Sequence, residues 1–141
     1  MSENQKKIWI TGASSGIGKA LAEKFSLEGW RVAISARRKE ILDKMASNKN
    51  IASYPLDVTN QNQINEVSSK IINDFGSLDL CVFSSGTYDP KLEQEINIKQ
   101  NKFVMETNFF GVLYCVKSVE KYFKDKKNGH ISIVSSIAAY R

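Results

Sequence analysis

A chain of 141 residues is long enough for one domain, and its 42% hydrophobic and 25% charged residues favour a globular fold over disorder. No apolar run approaches the roughly 20 residues of a membrane helix, and no secretory-type segment precedes the first predicted strand, so we expect a cytoplasmic protein. The net charge of +5 could indicate a nucleic-acid partner. Because most of the excess lies at one predicted helix end, without a nucleic-acid-binding motif, we expect no such partner and keep it as an alternative.

Short β-branched runs alternate with helical patterns along the chain. Strands are predicted at 8–10, 32–34, 51–56, 78–83 and 131–134. Four helices are predicted between them. The first carries an apolar stripe of Ile17, Ala20, Leu21 and Phe25, and the second covers 40–46. The third runs from an N-cap at Thr59 to a final Gly76, and the fourth covers 103–124. Such regular alternation predicts an α/β fold with a parallel sheet and helices on both faces.

The cysteines do not indicate a metal site. Cys81 and Cys115 lie inside apolar runs, and neither has the spacing of a ligand set with another cysteine or with His130. We therefore expect two buried thiols in a reducing compartment, and no metal.

Residues 11–18 join the first strand to the first helix and carry glycines in the spacing Gly-x-x-x-Gly-x-Gly. Glycines at such a junction permit a tight turn, a close approach of backbone N–H groups to a pyrophosphate, and close packing of helix on strand. The helix N-terminus adds unpaired N–H groups and a partial positive charge, and Ser14 and Ser15 can add hydroxyl donors. At the first strand–helix junction of a βαβ series, this loop predicts a dinucleotide site in a Rossmann-like domain.

The loop resembles the cofactor motif of the short-chain dehydrogenases/reductases, and further matches follow in order along the whole chain. Asp57 and Val58 are similar to the family's adenine-contacting pair. A Ser-Ser-Gly sequence at 84–86 stands where the family usually carries Asn-Ala-Gly, which puts the structural hydrogen bonds of that asparagine in doubt. The cofactor-binding positions that the resemblance implies are Gly12, Ser14, Ser15, Gly16, Ile17, Gly18, Arg37, Arg38, Asp57, Val58, Ser84, Ser85 and Gly86.

The end of the second strand bears on the choice of nucleotide. A dinucleotide fold that prefers NAD places an acid near this point to hold the ribose 2′-hydroxyl. Here the position is Ala36, and Arg37 follows with a planar set of donors suited to phosphate. In the family an arginine at this place implies NADP(H), so we expect NADP(H) rather than NAD(H). The alternative is a solvated pair, Arg37 and Arg38, at the start of a helix.

The catalytic residues follow from the resemblance. The family transfers hydride between a nicotinamide and a carbonyl or alcohol carbon, and the protein supplies orientation and a proton. Asn108 matches the asparagine that holds a water of the proton relay, and Ser136 matches the serine that hydrogen-bonds the substrate oxygen. No Tyr-x-x-x-Lys follows Ser136; Tyr140 is too close to it and precedes no lysine.

The resemblance thus implies that residues 1–141 are the nucleotide-binding domain of an NADP(H)-dependent oxidoreductase, incomplete at the C-terminus after the fifth strand. We expect such a fragment to be without turnover. The alternative is a non-catalytic dinucleotide-binding module or pseudoenzyme. For a full-length parent the resemblance implies a small carbonyl or alcohol substrate and a homo-oligomer.

Overall fold

The computed structural model describes residues 5–93 and 95–137, so Tyr140 lies outside the described part of the chain. The described residues contain one parallel sheet, as the alternating pattern predicts, and its strand order is β3-β2-β1-β4-β5. Its strands are β1 (Lys7–Thr11), β2 (Arg31–Ser35), β3 (Ile51–Ser53), β4 (Leu80–Phe83) and β5 (His130–Ile133). The central strand β1 pairs with β2 on one side and with β4 on the other.

Helices cover both faces of this sheet. They are α1 (Gly16–Leu27), α2 (Lys39–Met45), α3 (Gln61–Phe75), α4 (Ile98–Met105) and α5 (Gly111–Lys126). A short 3-10 turn (Pro90–Glu93) precedes α4, and a π-helical turn (Glu106–Phe110) joins α4 to α5. None of the described helices is long and apolar enough to cross a membrane.

Side chains that alternate along each strand build two separate cores, since successive residues of a strand point to opposite faces. On one face Ile8 and Ile10 pack with Ala22 of α1 and Leu42 of α2. The opposite core lies under α3 and α5, and it includes Trp9, Ala33, Cys81, Phe83, Ile64, Ile71, Cys115 and Val119. Strands buried on both faces account for the continuous apolar runs of the sequence.

The first helix turns a different stripe toward the sheet than the sequence indicates. Ile17 is 60% exposed and Ala20 is exposed, whereas Gly18, Ala22 and Ser26 are buried. The predicted stripe is therefore wrong for its first two members. Small side chains let α1 approach the sheet closely, which apolar periodicity does not reveal.

The third strand ends at Ser53 rather than at 56 and the fourth begins at Leu80 rather than at 78, and two helices also differ from the prediction. Asn60, not Thr59, caps α3: its Oδ1 accepts the Gln63 N–H at 3.1 Å, while the N–H and hydroxyl of Thr59 both donate to Asp57 Oδ1. The helix predicted at 103–124 begins earlier, at Ile98, and is interrupted by the π-helical turn. The start of α4 could not be predicted from apolar periodicity, because this helix has no buried residue and hence no apolar stripe.

Both cysteines are free and buried, as expected. Burial raises the pKa of the Cys81 thiol well above its usual range, and the nearby Cys115 adds to the effect. Burial also raises the pKa of Cys115 to about 12. Because the thiolate is the reactive form, both side chains act as small apolar core residues at neutral pH.

Most lysines at the end of α5 have acidic neighbours. Lys117 and Lys124 pair with Glu120, Lys121 pairs with Asp125, and Lys126 pairs with Asp79. Apart from the partly buried Lys126–Asp79 pair, these pairs lie at the surface and contribute little stability. They nevertheless reduce the local excess of positive charge that suggested nucleic acid.

Asp79 anchors the amino ends of the central strands. Its carboxylate accepts the Lys7 N–H and the Lys126 ammonium, each at 2.9 Å. Partial burial opposes the charge, but these hydrogen bonds and the nearby cations outweigh it, so the pKa of Asp79 is lowered.

Lowering the pH should remove the stabilisation that Asp79 provides. Because the folded-state pKa is depressed, the contribution is present above the unfolded pKa of about 4 and is lost as the pH falls through the folded value. Urea unfolding of the wild type and Asp79→Asn at pH 7 and pH 3 checks this. We expect the variant to be less stable at pH 7 and the difference to shrink at pH 3; an unchanged difference would contradict the assignment.

Candidate functional site

A cleft of about 590 Å³ opens at the carboxyl ends of the strands, where parallel α/β sheets bind ligands. Every residue that the sequence predicts for the cofactor lines this cleft, from the glycine loop to Gly86. Four lining residues were not predicted: Ala36 and Leu56, which adjoin predicted positions, and Thr107 and Val134. The structure therefore brings together segments that lie far apart in the sequence.

The glycine loop is folded against the end of β4. Gly12 has φ +67°, and a Cβ there would lie 2.7 Å from the carbonyl oxygen of Ser84. A Cβ on Gly18 would lie 2.4 Å from the Gly12 oxygen, so the first turn of α1 packs directly on the loop. Only glycine fits these two positions without a shift of backbone.

Gly16 differs from its two neighbours in the motif. Its φ is +54°, but no atom lies within 4 Å of a Cβ built there. Since Gly16 also lines the cleft, this open space faces the cleft rather than a packed part of the protein. The adjoining N-cap, Ser15, makes no capping hydrogen bond with its side chain, and no acidic residue stands in the first turn of α1. The positive end of the helix is thus available to an anion.

Ser84 makes a structural hydrogen bond at the position where the family usually has asparagine. Its hydroxyl donates to the Thr11 carbonyl oxygen at 2.6 Å and so joins the ends of β4 and β1. The loop is tied a second time where the Ala13 N–H donates to the Ser35 carbonyl oxygen at 3.2 Å. A serine can therefore fix the loop at a position where the family usually has asparagine.

Two arginines border the cleft beyond β2. Arg38 donates from Nε and Nη2 to the Ser14 hydroxyl at 3.3 and 2.9 Å. The Arg37 guanidinium lies 5.9 Å from the centre of the Phe103 ring. Asp57 is the acidic residue of the lining, and its Oδ1 is engaged by Thr59. This end of the cleft is positively charged.

Asn108 does not line the cleft but holds the loop beside it. Its Oδ1 accepts the Thr87 N–H at 2.7 Å and its Nδ2 donates to the Thr87 carbonyl oxygen at 2.8 Å. Both ends of the amide are thus bound to backbone. The side chain positions the segment that follows β4, and the π-helical turn places Asn108 against that segment.

Ser136 is exposed and follows β5, two residues beyond Val134, which lines the cleft. The Val134 N–H still donates to the Phe83 carbonyl oxygen at 3.0 Å, so the strand register carries Ser136 toward this edge of the sheet. Its catalytic role stays a prediction.

Thr107 is a lining residue that the sequence did not indicate, although it directly precedes Asn108. It is buried, and its hydroxyl has no hydrogen-bond partner within the described segments. The described residues also contain no cluster of three His, Cys, Asp or Glu side chains that could hold a metal ion. The polar groups at the cleft are hydroxyls, backbone N–H groups, the Asp57 carboxylate and the two arginines.

A parallel sheet of this order, with a glycine loop at the carboxyl end of its first strand, places the protein in the Rossmann-like α/β class. The family model described as short chain dehydrogenase matches residues 6–141. The chain belongs to the short-chain dehydrogenase family.

Curated relatives of the chain include reductases and dehydrogenases by name. It is 31% identical over 140 residues to mouse (Mus musculus) dehydrogenase/reductase SDR family member 7, covering 93% of this chain and 41% of that protein. It is 33% identical to 11-beta-hydroxysteroid dehydrogenase 1A of Arabidopsis thaliana, covering 96% of this chain and 40% of the relative. The chain thus spans less than half the length of these two relatives.

Solved structures agree with the fold. The structure of ElxO with NADP bound matches with a TM-score of 0.89 and 31% identity, covering 97% of this chain and 58% of that one.

Proposed function

We propose that the cleft binds NADP(H) and that the protein is an oxidoreductase, transferring hydride between this cofactor and a carbonyl or alcohol carbon of a small molecule. The observation that carries the proposal is the pairing of an open glycine loop with two arginines, where an NAD-preferring site would have an acid. Ala36 supplies no carboxylate that would repel a 2′-phosphate.

The residues present fit a dinucleotide. Gly12 and Gly18 leave no room for side chains between loop and helix, while the space at Gly16 is open to the cleft. The N-terminus of α1 and the loop N–H groups would hold the pyrophosphate. Arg37, with Arg38 and its partner Ser14, would receive the 2′-phosphate.

The remaining roles are proposed by position. Asp57 and Val58 form one wall of the cleft, where they would contact adenine. Ser136 would hydrogen-bond the substrate oxygen. Asn108 would hold the backbone at Thr87 through its side-chain amide, and the second N–H and second lone pair of that amide would serve the water of the proton relay. When bound, the cofactor supplies the hydride.

Relatives support this proposal. ElxO, with a fold that superposes over nearly the whole chain, binds NADP, and the relatives at about one-third identity are named as reductases or dehydrogenases. A cytoplasmic location is part of the same proposal.

We also propose a homo-oligomer. The segment from α4 into α5 exposes a row of large apolar side chains, namely Met105 at 52%, Phe109 at 50%, Phe110 at 41% and Leu113 at 46%. An apolar surface of this kind is typical of an interface.

Arg37→Ala tests the choice of nucleotide. We expect it to weaken NADPH binding by about 1.5–3 kcal/mol, the contribution of a hydrogen bond to a charged group, and to leave NADH binding nearly unchanged. Isothermal titration of both nucleotides measures this.

The matched control for that titration is Lys44→Ala, which removes one positive charge from an exposed site away from the cleft. Its NADPH affinity should equal that of the wild type. Equal losses for NADPH and NADH in Arg37→Ala would show that Arg37 does not read the 2′-phosphate.

A further inference from the structure

The contact between Arg37 and Phe103 joins two parts of the chain that the cofactor motif does not connect. Arg37 follows β2 and lines the cleft, whereas Phe103 belongs to α4, a helix with no buried residue. The guanidinium carbon lies 5.9 Å from the ring centre, within the range of a cation–π interaction. Within the described segments, neither an ion pair nor a hydrogen bond ties the Arg37 side chain elsewhere.

From this contact we infer that Phe103 is a positioning residue for Arg37 and thereby sets the preference for NADPH over NADH. The inference rests on the proposed function, since it concerns the nucleotide of that same cleft.

A cation–π contact is compatible with phosphate binding because it uses no N–H group in a hydrogen bond. An arginine side chain has many rotamers, and holding it in place for a ligand costs conformational entropy. A ring that already attracts the guanidinium at the cleft lowers that cost, while the planar set of N–H donors remains free for a phosphate.

The two arginines are thus held in different ways. Arg38 is fixed through hydrogen bonds to Ser14 of the glycine loop, which itself belongs to the cleft. Arg37 instead contacts an aromatic ring of α4, and that ring does not itself line the cleft. Loss of the ring should therefore affect the ligand that needs Arg37, and only that ligand.

The test is isothermal titration of NADPH and NADH into four proteins: the wild type, Phe103→Leu, Arg37→Ala and the double variant. An exposed cation–π contact predicts that Phe103→Leu weakens NADPH binding about two- to fivefold and leaves NADH binding unchanged. In the Arg37→Ala background the same substitution should have no effect on NADPH. Phe103→Tyr, which keeps an aromatic face, should retain wild-type affinity.

Ile98→Ala is the matched control for the loss of exposed apolar surface from α4, since Ile98 is 64% exposed and does not line the cleft. Its affinities should equal those of the wild type. The inference is overturned if Phe103→Leu binds NADPH normally, weakens both nucleotides equally, or weakens NADPH just as much without Arg37. Failure of the wild type to bind NADPH would instead contradict the proposed function, and the inference with it.

Discussion

Gly16→Val is expected to abolish NADPH binding while the chain stays folded. Gly16 lines the cleft, and a side chain there would occupy space that no protein atom fills. A branched side chain would keep phosphate away from the loop N–H groups. Hydrogen bonds to a charged group contribute about 1.5–3 kcal/mol each, so losing two of them lowers affinity by about a hundredfold or more. Isothermal titration measures the affinity, and circular dichroism checks the fold.

A control is needed because Gly16 has φ +54°, so any side chain there also strains the backbone. Gly76→Val supplies it. Gly76 ends α3 with φ +75°, is equally open, and lies outside the cleft. The control should lose some stability but keep its NADPH affinity. Wild-type affinity in Gly16→Val, or an equal loss in Gly76→Val, would mean that the glycine loop is only a turn.

Trp9→Ala should have the largest effect on stability. Trp9 lies fully buried on the central strand, edge-on to Phe83 with 5.5 Å between ring centres. Its indole N–H donates to the Ser35 hydroxyl at 2.9 Å, at the end of β2 below the cleft. Replacing a buried tryptophan with alanine costs about 3–5 kcal/mol, a large part of the 5–15 kcal/mol that is typical of a whole domain. Urea unfolding followed by circular dichroism gives the difference.

Trp30 offers the matched comparison. It is half-buried beside Phe25, with 4.9 Å between ring centres, and lies at the start of β2 rather than in the centre of the sheet. Trp30→Ala should therefore cost clearly less than Trp9→Ala. Similar losses for the two variants would contradict the view that the core under α3 and α5 holds the sheet together.

The sheet was predictable because its evidence is local and repeated. The central strands are apolar runs, β5 alternates apolar and polar residues, and helix ends carry signals of their own, such as Gly76 in the left-handed conformation at the end of α3. The walls of the cleft were predictable for a related reason. Residues that follow parallel strands meet at one edge of the sheet, so positions distant in the sequence line a common cleft.

Other features could not be read from the sequence because they depend on contacts between distant segments. The π-helical turn contains Asn108, whose side chain accepts a hydrogen bond from the Thr87 N–H, and this distant contact is not visible in the local sequence. The same holds for Phe103, which nothing in its own segment connects to Arg37. The exposure of Ile17 arises because the glycines bring α1 so close to β1 that the buried side of the helix shifts to smaller residues.

The central claim is that this cleft binds NADP(H), and mapping the binding site by NMR tests it most directly. Backbone amide resonances of the isotope-labelled chain are followed while NADPH is added. We expect saturable shifts at residues 12–18, 36–38, 56–58 and 84–86 and at positions 107 and 134, which line the cleft, together with smaller changes in α4 near Phe103. Shifts centred on the lysine-rich end of α5, or no shifts at millimolar NADPH, would contradict the claim.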